Sequence, residues 1–485
     1  MNKFLTYLSI LSILAVMMNT GCKKPQATAT IRIYPDSVVT DVSNHPIGIN
    51  LDYFTDDDVY LKPAIRTADA LKRMGVKYLR YPGGNKSDFY FFSVPPYEKS
   101  LPTLARTGKG AVGGRDRMLE NYSKFKVDVL DFDEFMDICR EIDAEPVLCV
   151  AADEYLVDYP EGCTWATRGE LIEHAVEWVR YANIKKGYGV KYWMIGNESW
   201  HKGNKNSTAE IYARDVVDFS RAMKAVDPSI LIIPNGNSVD FWEKVITIAG
   251  DDFDHLCFSN YPVYEYRAGY ATYRDTLKDL MHPVKRAITA IDKFATEEQK
   301  SRWKLIVAEY GPFDWGNFWP KENNMGMNLA NFEMTGLQLL EPRMLFSCFW
   351  NTRWITNDSV EHSAYDALDR NGNLNANGMG LMIWGNYLGN KMVRTTSNLH
   401  LRTFASYTPE EGKLFVYIIN KSPEDQPIEL LIDHPGKAKL LLARELVGDG
   451  PGDVDPLWQE CETWANPTNI HVKGTSITVA AYQLN

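Results

Sequence analysis

The chain predicts a (β/α)8 TIM barrel that carries an accessory C-terminal β-sandwich, the latter also taking in an N-terminal strand. Three observations lead there. From Pro46 to about Lys391 short apolar runs alternate with amphipathic stretches, the rhythm of a parallel sheet with helical crossovers. Two of those runs end in a glutamate, Glu198 and Glu309. After about Val393 the helical rhythm stops and only short alternating strands follow.

Taken in order, residues 1–22 read as a targeting segment rather than as fold. Lys3 supplies a positive charge, Phe4–Met18 is apolar but short for a membrane span, and small residues lead to Cys22. Asn19-Thr20-Gly21-Cys22 resembles a bacterial lipoprotein cleavage box, which implies lipidation of Cys22 and a membrane anchor; an ordinary secretory signal is the alternative. Both readings export the protein. Residues 23–30 form a polar tether, and residues 31–45 hold a strand, Ile31–Val39, expected to join the β-sandwich.

The barrel is expected over residues 46–392. Its strands are Ile47–Leu51, Tyr78–Tyr81, Pro146–Val150, Tyr192–Ile195, Leu231–Pro234, His255–Ser259, Leu305–Ala308 and Met344–Trp350. Helical periodicity appears at Ala64–Met74, Phe132–Ile142, Leu171–Ile184, Ala209–Ala225, Ala287–Phe294 and Leu329–Leu339. An open doubly wound sheet is the rival, but no glycine-rich phosphate fingerprint follows the first strand. The connection Gly83–Asp131 is long enough to be functional, and at the C-terminal face of a barrel it would wall a cleft. Residues 393–485, with strands such as Leu414–Ile419, Ile428–Ile432, Lys439–Leu442 and Ser476–Ala481, make the β-sandwich.

A net charge of −11, with no basic stripe, argues against a nucleic-acid partner. Cys139, Cys149, Cys257 and Cys348 fall in predicted helices or strands and read as small buried groups, whereas Cys163 and Cys461 fall in loops and could pair. Neither CxxC nor HExxH occurs, so neither a metal site nor a cofactor has sequence support.

Glu198 closes K-Y-W-M-I-G-N-E and Glu309 closes K-L-I-V-A-E. A carboxylate at the end of a core strand is costly to bury without a purpose. Two of them, on the fourth and seventh strands of a barrel, suit retaining glycoside hydrolysis, in which paired carboxyl groups flank the scissile bond. The segments L-R-Y-P-G-G-N (Leu79–Asn85), Asp131–Pro146, G-V-K-Y-W-M-I-G-N-E (Gly189–Glu198) and Phe219–Ile230 resemble the family 51 α-L-arabinofuranosidases of the clan A barrel glycosidases.

That resemblance implies Glu198 as acid/base, Glu309 as nucleophile, and an oligo- or polysaccharide as substrate. It places Asn197 near a sugar hydroxyl, Asn85 and Asp52 in substrate binding, and Tyr261 near the nucleophile. Arg80, ending the second strand, could favour an ionised carboxylate or serve a structural ion pair. Trp350 could stack on a sugar or fill the core, and turns would account for Asn85, Asn197 and Tyr261 as well. The chain departs from the family at three positions. Asp52 stands for a glutamate, Ala151 for an asparagine and Ser259 for a histidine. Two alternatives stand beside the arabinofuranosidase expectation: an endo-acting β-glycanase of the same clan, agarase- or xylanase-like, and a non-catalytic carbohydrate-binding lipoprotein.

Overall fold

A computed structural model describes residues 28–53, 55–108, 129–156, 163–201, 207–262, 269–277, 279–312, 323–353, 366–461 and 468–485. The targeting segment and Cys22 lie outside them, as do residues 109–128 of the expected cleft wall. The first strand, β1 (Ala29–Asp41), is followed by eight short ones: β2 (Ile47–Asn50), β3 (Tyr78–Tyr81), β4 (Glu145–Val150), β5 (Tyr192–Ile195), β6 (Leu231–Pro234), β7 (Leu256–Asn260), β8 (Leu305–Tyr310) and β9 (Met344–Phe349). These eight pair in parallel in the order β6-β5-β4-β3-β2-β9-β8-β7. A parallel bridge from Asn235 to Cys257 joins the two ends and closes the barrel.

Helices α1 (Thr67–Met74), α2 (Phe132–Ile142), α3 (Arg168–Val179), α4 (Ala209–Lys224), α5 (Val239–Ala249), α6 (His282–Phe294), α7 (Met325–Leu339) and α8 (Ala376–Asn386) connect or follow the strands. Their starts are encoded locally. Asp131 and Thr167 open α2 and α3 with capping boxes, and Thr208, Ser238 and Asn324 accept a backbone N–H at the starts of α4, α5 and α7. The expected helix Leu171–Ile184 is α-helical to Val179 and continues as a π-helical turn over Arg180–Lys185.

Residues inside the barrel change character from floor to mouth. Tyr78, Tyr192 and Phe346 meet at the floor, with Tyr78 stacked on Phe346 at 4.1 Å between centroids. Val147, Met194, Ile233, Ile306 and the thiols of Cys149, Cys257 and Cys348 fill the middle. Those cysteines are free and buried, and burial pushes the Cys149 thiol up to about 11 and the Cys348 thiol up to about 12. Cys461 also carries a free thiol, and the side chain of Cys163, with which it could pair, lies outside the described part of the structure. The polar mouth holds Asn50, Arg80, Asn197 and Glu309, all buried.

The accessory domain contains β10 (Lys391–Thr395), β11 (Leu401–Thr408), β12 (Lys413–Asn420), β13 (Gln426–Ile432), β14 (Ala438–Val447), β15 (Leu457–Glu460), β16 (Asn469–Val472) and β17 (Ser476–Leu484). With β1 they form one nine-stranded sheet, ordered β15-β14-β17-β12-β11-β10-β1-β13-β16. The N-terminal strand thus enters the C-terminal domain as expected, between β10 and β13. In place of two separate sheets, a single sheet curls on itself: Ile470 of β16 and Tyr482 of β17, far apart in the strand order, share one apolar core.

The opposite face packs on the barrel. The Trp384 ring of α8 lies 4.3 Å from that of Tyr417, and Phe404 sits against Gly336 of α7. Buried Glu333 accepts from Tyr273 at 2.7 Å, and pairs with Arg402 at 2.6 Å and Lys421 at 3.3 Å, so charge complementarity ties the two domains across the same contact.

Helix α8 has no amphipathic face because it is enclosed on most sides, and glycine lets it touch α1. A Cβ on Gly385 would lie 2.0 Å from the carbonyl oxygen of Met74. Gly385→Ala should therefore destabilise the chain by about 1–3 kcal/mol through overpacking. Gly169→Ala in α3, where the nearest contact is 3.9 Å away, should be neutral or gain up to ~1 kcal/mol of helix propensity. Thermal unfolding of the two variants tests this packing, and equal midpoints would contradict it.

Candidate active site

Alternation along β2 turns Asn50 and then Asp52 toward the barrel mouth. Asn50 donates from Nδ2 to the carbonyls of Ala308 (2.9 Å) and Phe349 (3.1 Å), linking the ends of β8 and β9 to β2. Its Oδ1 is left to accept from Arg80 Nη1 at 2.7 Å. Arg80 is 2% exposed and distributes its other donors to Glu309 Oε1 at 2.9 Å, Asn197 Oδ1 at 2.5 Å and Met194 Sδ at 3.2 Å. A guanidinium has five N–H donors and no acceptor, so it can bind several strand ends at once.

Glu309 reaches this group because β8 carries one extra residue. Val307 pairs with Phe258 and Glu309 with Ser259, which leaves Ala308 unpaired as a bulge. Leu305, Val307 and Tyr310 pack outward, while Ile306 and Ala308 face the barrel interior. Strict alternation would turn Glu309 outward with Val307; the bulge turns it inward. Both its oxygens are then engaged, Oε1 by Arg80 and Oε2 by the Tyr261 hydroxyl at 3.0 Å.

Glu198 stands in a backbone conformation that non-glycine residues rarely adopt, with φ of 47°, two residues after Gly196 at φ of 69°. The neighbouring backbone is held from three sides. Asn197 N–H donates to Asp88 Oδ1 at 3.1 Å, Ser199 N–H to Asn235 Oδ1 at 2.9 Å, and Ser199 Oγ to Asp153 at 2.6 Å. Asn235 Nδ2 donates in turn to the carbonyls of Ile195 and Gly196.

The Glu198 carboxyl accepts from Ser259 Oγ at 2.5 Å. Burial and the negative charge of Glu309 push it up to about 7, while Ser259 and Arg80 oppose that rise. Since Ser259 stands opposite Glu309 in the strand register, the two carboxyl groups share one side of the mouth.

Asp52 is fully buried and pairs with Lys86. Its backbone N–H donates to Asp56 at 2.8 Å, and Asp56 pairs with buried Arg353 at 3.0 Å. Glu198, Glu309, Arg80, Asn197, Tyr261 and Asp52 therefore converge at the barrel mouth. Asn85 is exposed on the 3-10 turn Gly84–Phe89, whose buried side chains are Lys86, Ser87, Asp88 and Phe89. Trp350 is buried, with Gly84 against its ring. Among the described residues no cluster of His, Cys, Asp or Glu is placed to hold a metal ion.

Sequence reading missed Asn50, Lys86, Asp88, Asp153, Ser199 and Asn235. Only Asn50 carried a usable signal, lying two residues before Asp52 on the same strand face.

Residues 70–280 match the family described as Alpha-L-arabinofuranosidase 1 domain. An intracellular exo-alpha-(1->5)-L-arabinofuranosidase of Acetivibrio thermocellus is 25% identical over 307 residues, 58% of this chain and 53% of the relative. Alpha-L-arabinofuranosidase C of Emericella nidulans is 32% identical over 183 residues, 34% and 31% of the two chains. Over part of its length the chain is thus similar to α-L-arabinofuranosidases.

The chain spans about half the length of the Acetivibrio relative and about a third of the fungal one. In fold it resembles the α-L-arabinofuranosidase of Thermotoga maritima, with a TM-score of 0.70 at 18% identity, covering 94% of this chain and 100% of the other. It also resembles a family 44 xyloglucanase of Paenibacillus polymyxa, with a TM-score of 0.62 at 12% identity over 94% and 100% of the two chains. Ser259, where the resemblance leads one to expect a histidine, contacts Glu198.

A hydroxyl that donates to a carboxylate stabilises its ionised form. Ser259→Ala should thus move the protonation midpoint of Glu198 upward from about 7. Carboxyl 13C titration by NMR reads this directly, and a midpoint that stays or falls would show that Ser259 does not tune the acid.

Proposed function

We propose that the chain is an exported retaining glycoside hydrolase of α-L-arabinofuranosidase type, with Glu309 as nucleophile and Glu198 as acid/base. What supports this reading is the contrast between two neighbouring carboxyl groups. Glu309 has both oxygens engaged, one by the fixed cation of Arg80. Glu198, beside it, keeps its proton up to about pH 7. Such a split assigns roles: the neutral group gives a proton and the charged one gives an electron pair.

In the first step Glu309 forms an ester with the anomeric carbon as the bond to the leaving oxygen breaks. That oxygen takes the Glu198 proton. Glu198, now a carboxylate, removes a proton from water as the water oxygen attacks the anomeric carbon. The ester is cleaved, Glu309 regains its charge and Glu198 its proton. During these steps Arg80 and Tyr261 orient the Glu309 oxygens, and Asn197, held through its Oδ1, presents its amide to the mouth.

Export and lipid anchoring through Cys22 are part of the proposal. They rest on the leader residues Lys3, Phe4–Met18 and Asn19–Cys22. Labelling cells with a radioactive fatty acid should mark the wild type and not Cys22→Ser, whereas equal labelling would remove the anchor.

Turnover of 4-nitrophenyl α-L-arabinofuranoside, followed by 1H NMR of the first-formed sugar, should show net retention; inversion would overturn the mechanism. Activity confined to internal bonds of a β-glycan would favour the endo-acting reading, and a chain inert toward every aryl glycoside and polysaccharide would leave a binding protein. Glu309→Ala should abolish turnover even with a 2,4-dinitrophenyl leaving group. Glu198→Ala should retain the first step with that leaving group and be rescued by azide, because little protonation is needed. Swapped phenotypes would exchange the roles. With the wild type, kcat/KM should fall as pH rises past about 7, since Glu198 must begin protonated, and Ser259→Ala should carry that limb to higher pH.

A further inference from the structure

The 3-10 turn after β3 delivers a lysine for which the double displacement above has no role. Lys86 is 2% exposed, and its ammonium pairs with the Asp52 carboxylate at the end of β2. Glu309 of β8 and Asp366, which follows β9, act on the same ammonium electrostatically. One cation thus pairs with Asp52 and feels the charge of carboxylates on two further elements, the proposed nucleophile among them. The turn is seated closely. A Cβ on Gly83 would fall 3.0 Å from Asp52 Cα, and one on Gly84 would fall 2.2 Å from the Trp350 ring. This close approach brings the chain down onto Asp52 and Trp350. The turn then buries Lys86 and leaves Asn85 exposed. Burying an ammonium is costly. Arg80 already supplies a counter-charge to Glu309, so neutralising that carboxylate does not account for a second cation.

We propose that Lys86 and Asp52 form a hydroxyl-reading pair in the sugar pocket, with Lys86 a specificity-determining residue that binds substrate. The proposal rests on the glycosidase reading and deepens it. A sugar whose anomeric carbon meets Glu309 has its ring hydroxyls within one ring's width of that carboxylate, and Lys86 is held at the same mouth by Asp52 and by a turn whose Asp88 accepts from Asn197 N–H. Every hydroxyl is both donor and acceptor. A lone carboxylate can satisfy only the donor half, whereas Asp52 with Lys86 satisfies both. Asp52 is one methylene shorter than the glutamate of the resembled family, and the ammonium fills the place between its carboxylate and the sugar. With Asp52, Glu309 and Asp366 around it, the pair fits a neutral sugar with adjacent hydroxyls. A sugar bearing a carboxylate or sulfate at that position would be repelled.

The test compares wild type with Lys86→Met on 4-nitrophenyl α-L-arabinofuranoside, or on whichever aryl glycoside the wild type cleaves. Lys86→Met should lose about 10- to 100-fold in kcat/KM, chiefly through KM, and inhibition by the free sugar should weaken by a similar factor. Removing one hydroxyl from the substrate should cost the wild type about as much, and cost Lys86→Met little more. That non-additivity marks a direct contact, which a structural lysine would not produce. A folded Lys86→Met with unchanged KM and inhibition overturns the proposal. If Lys86→Met does not fold, Lys86→Arg serves, because it keeps the charge but moves the donors. Weakened sugar inhibition in Lys86→Arg supports the contact, and unchanged inhibition sinks it. Should the wild type cleave no glycoside, the glycosidase reading fails by itself. Calorimetric titration of both chains with neutral monosaccharides then decides the pair: binding lost in Lys86→Met supports it, while equal binding or none in either chain overturns it.

Discussion

The buried guanidinium of Arg80 is the constraint around which the barrel mouth is arranged. A permanent cation with 2% exposure must find acceptors inside the protein, since water cannot supply them. Asn50, Glu309 and Asn197 supply them, from β2, from β8 and from the loop after β5. Losing one partner of such a buried pair typically costs about 3–5 kcal/mol. The same contacts that keep the fold from burying an unpaired charge therefore fix the distances among the groups that do the chemistry. Stability and pre-organisation are one requirement here.

Outside this hub, Glu309 and Glu198 are held by different means. Glu309 is held through its side chain, by Arg80 and Tyr261. Glu198 is held mainly through its backbone, by the ties from Asp88 to Asn197 N–H and from Asn235 and Asp153 to Ser199, and among the described residues its carboxyl accepts a hydrogen bond from Ser259. The difference suits the roles proposed for them. A nucleophile needs a fixed position and an ionised form. A group that gives and takes a proton needs a fixed position while its charge changes, and backbone anchoring leaves its carboxyl less committed to either state.

Much of this was legible in the sequence. The strands at Tyr78–Tyr81, Tyr192–Ile195 and Leu231–Pro234 and the helix Phe132–Ile142 fall where periodicity and capping residues put them. Their local preferences and tertiary burial agree. The helix Ala376–Asn386 was not picked out, because a helix buried on most sides has no polar face to reveal its period. The turn Gly84–Phe89 was read only as part of a long connection, and Asn85 was expected to contact substrate where Lys86 does the inward pairing. Side-chain direction in such a turn follows from how Gly83 and Gly84 press on Asp52 and Trp350, contacts between segments distant in sequence. Likewise Asp153, Ser199 and Asn235 meet only because β4, β5 and β6 are neighbours in the closed sheet. The three departures at Asp52, Ala151 and Ser259 were visible from the start, but what occupies the space around them was not.

The seventh barrel strand was read as ending at Ala308, yet it runs on through Glu309 to Tyr310, past the unpaired Ala308. Up to Val307 the two faces of β8 follow a simple alternation, and beyond Ala308 they follow it out of phase. The direction of Glu309 is thus written in the count of residues along the strand rather than in their identities. Substitutions at Leu305, Ile306 or Val307 would leave that phase untouched, however much they disturb the packing. Ironing out the bulge with no residue removed would present the Tyr310 phenol to the mouth and bury the carboxylate among the helices. For this strand, whether the sheet tolerates one unpaired residue decides if a carboxylate or a phenol faces the mouth.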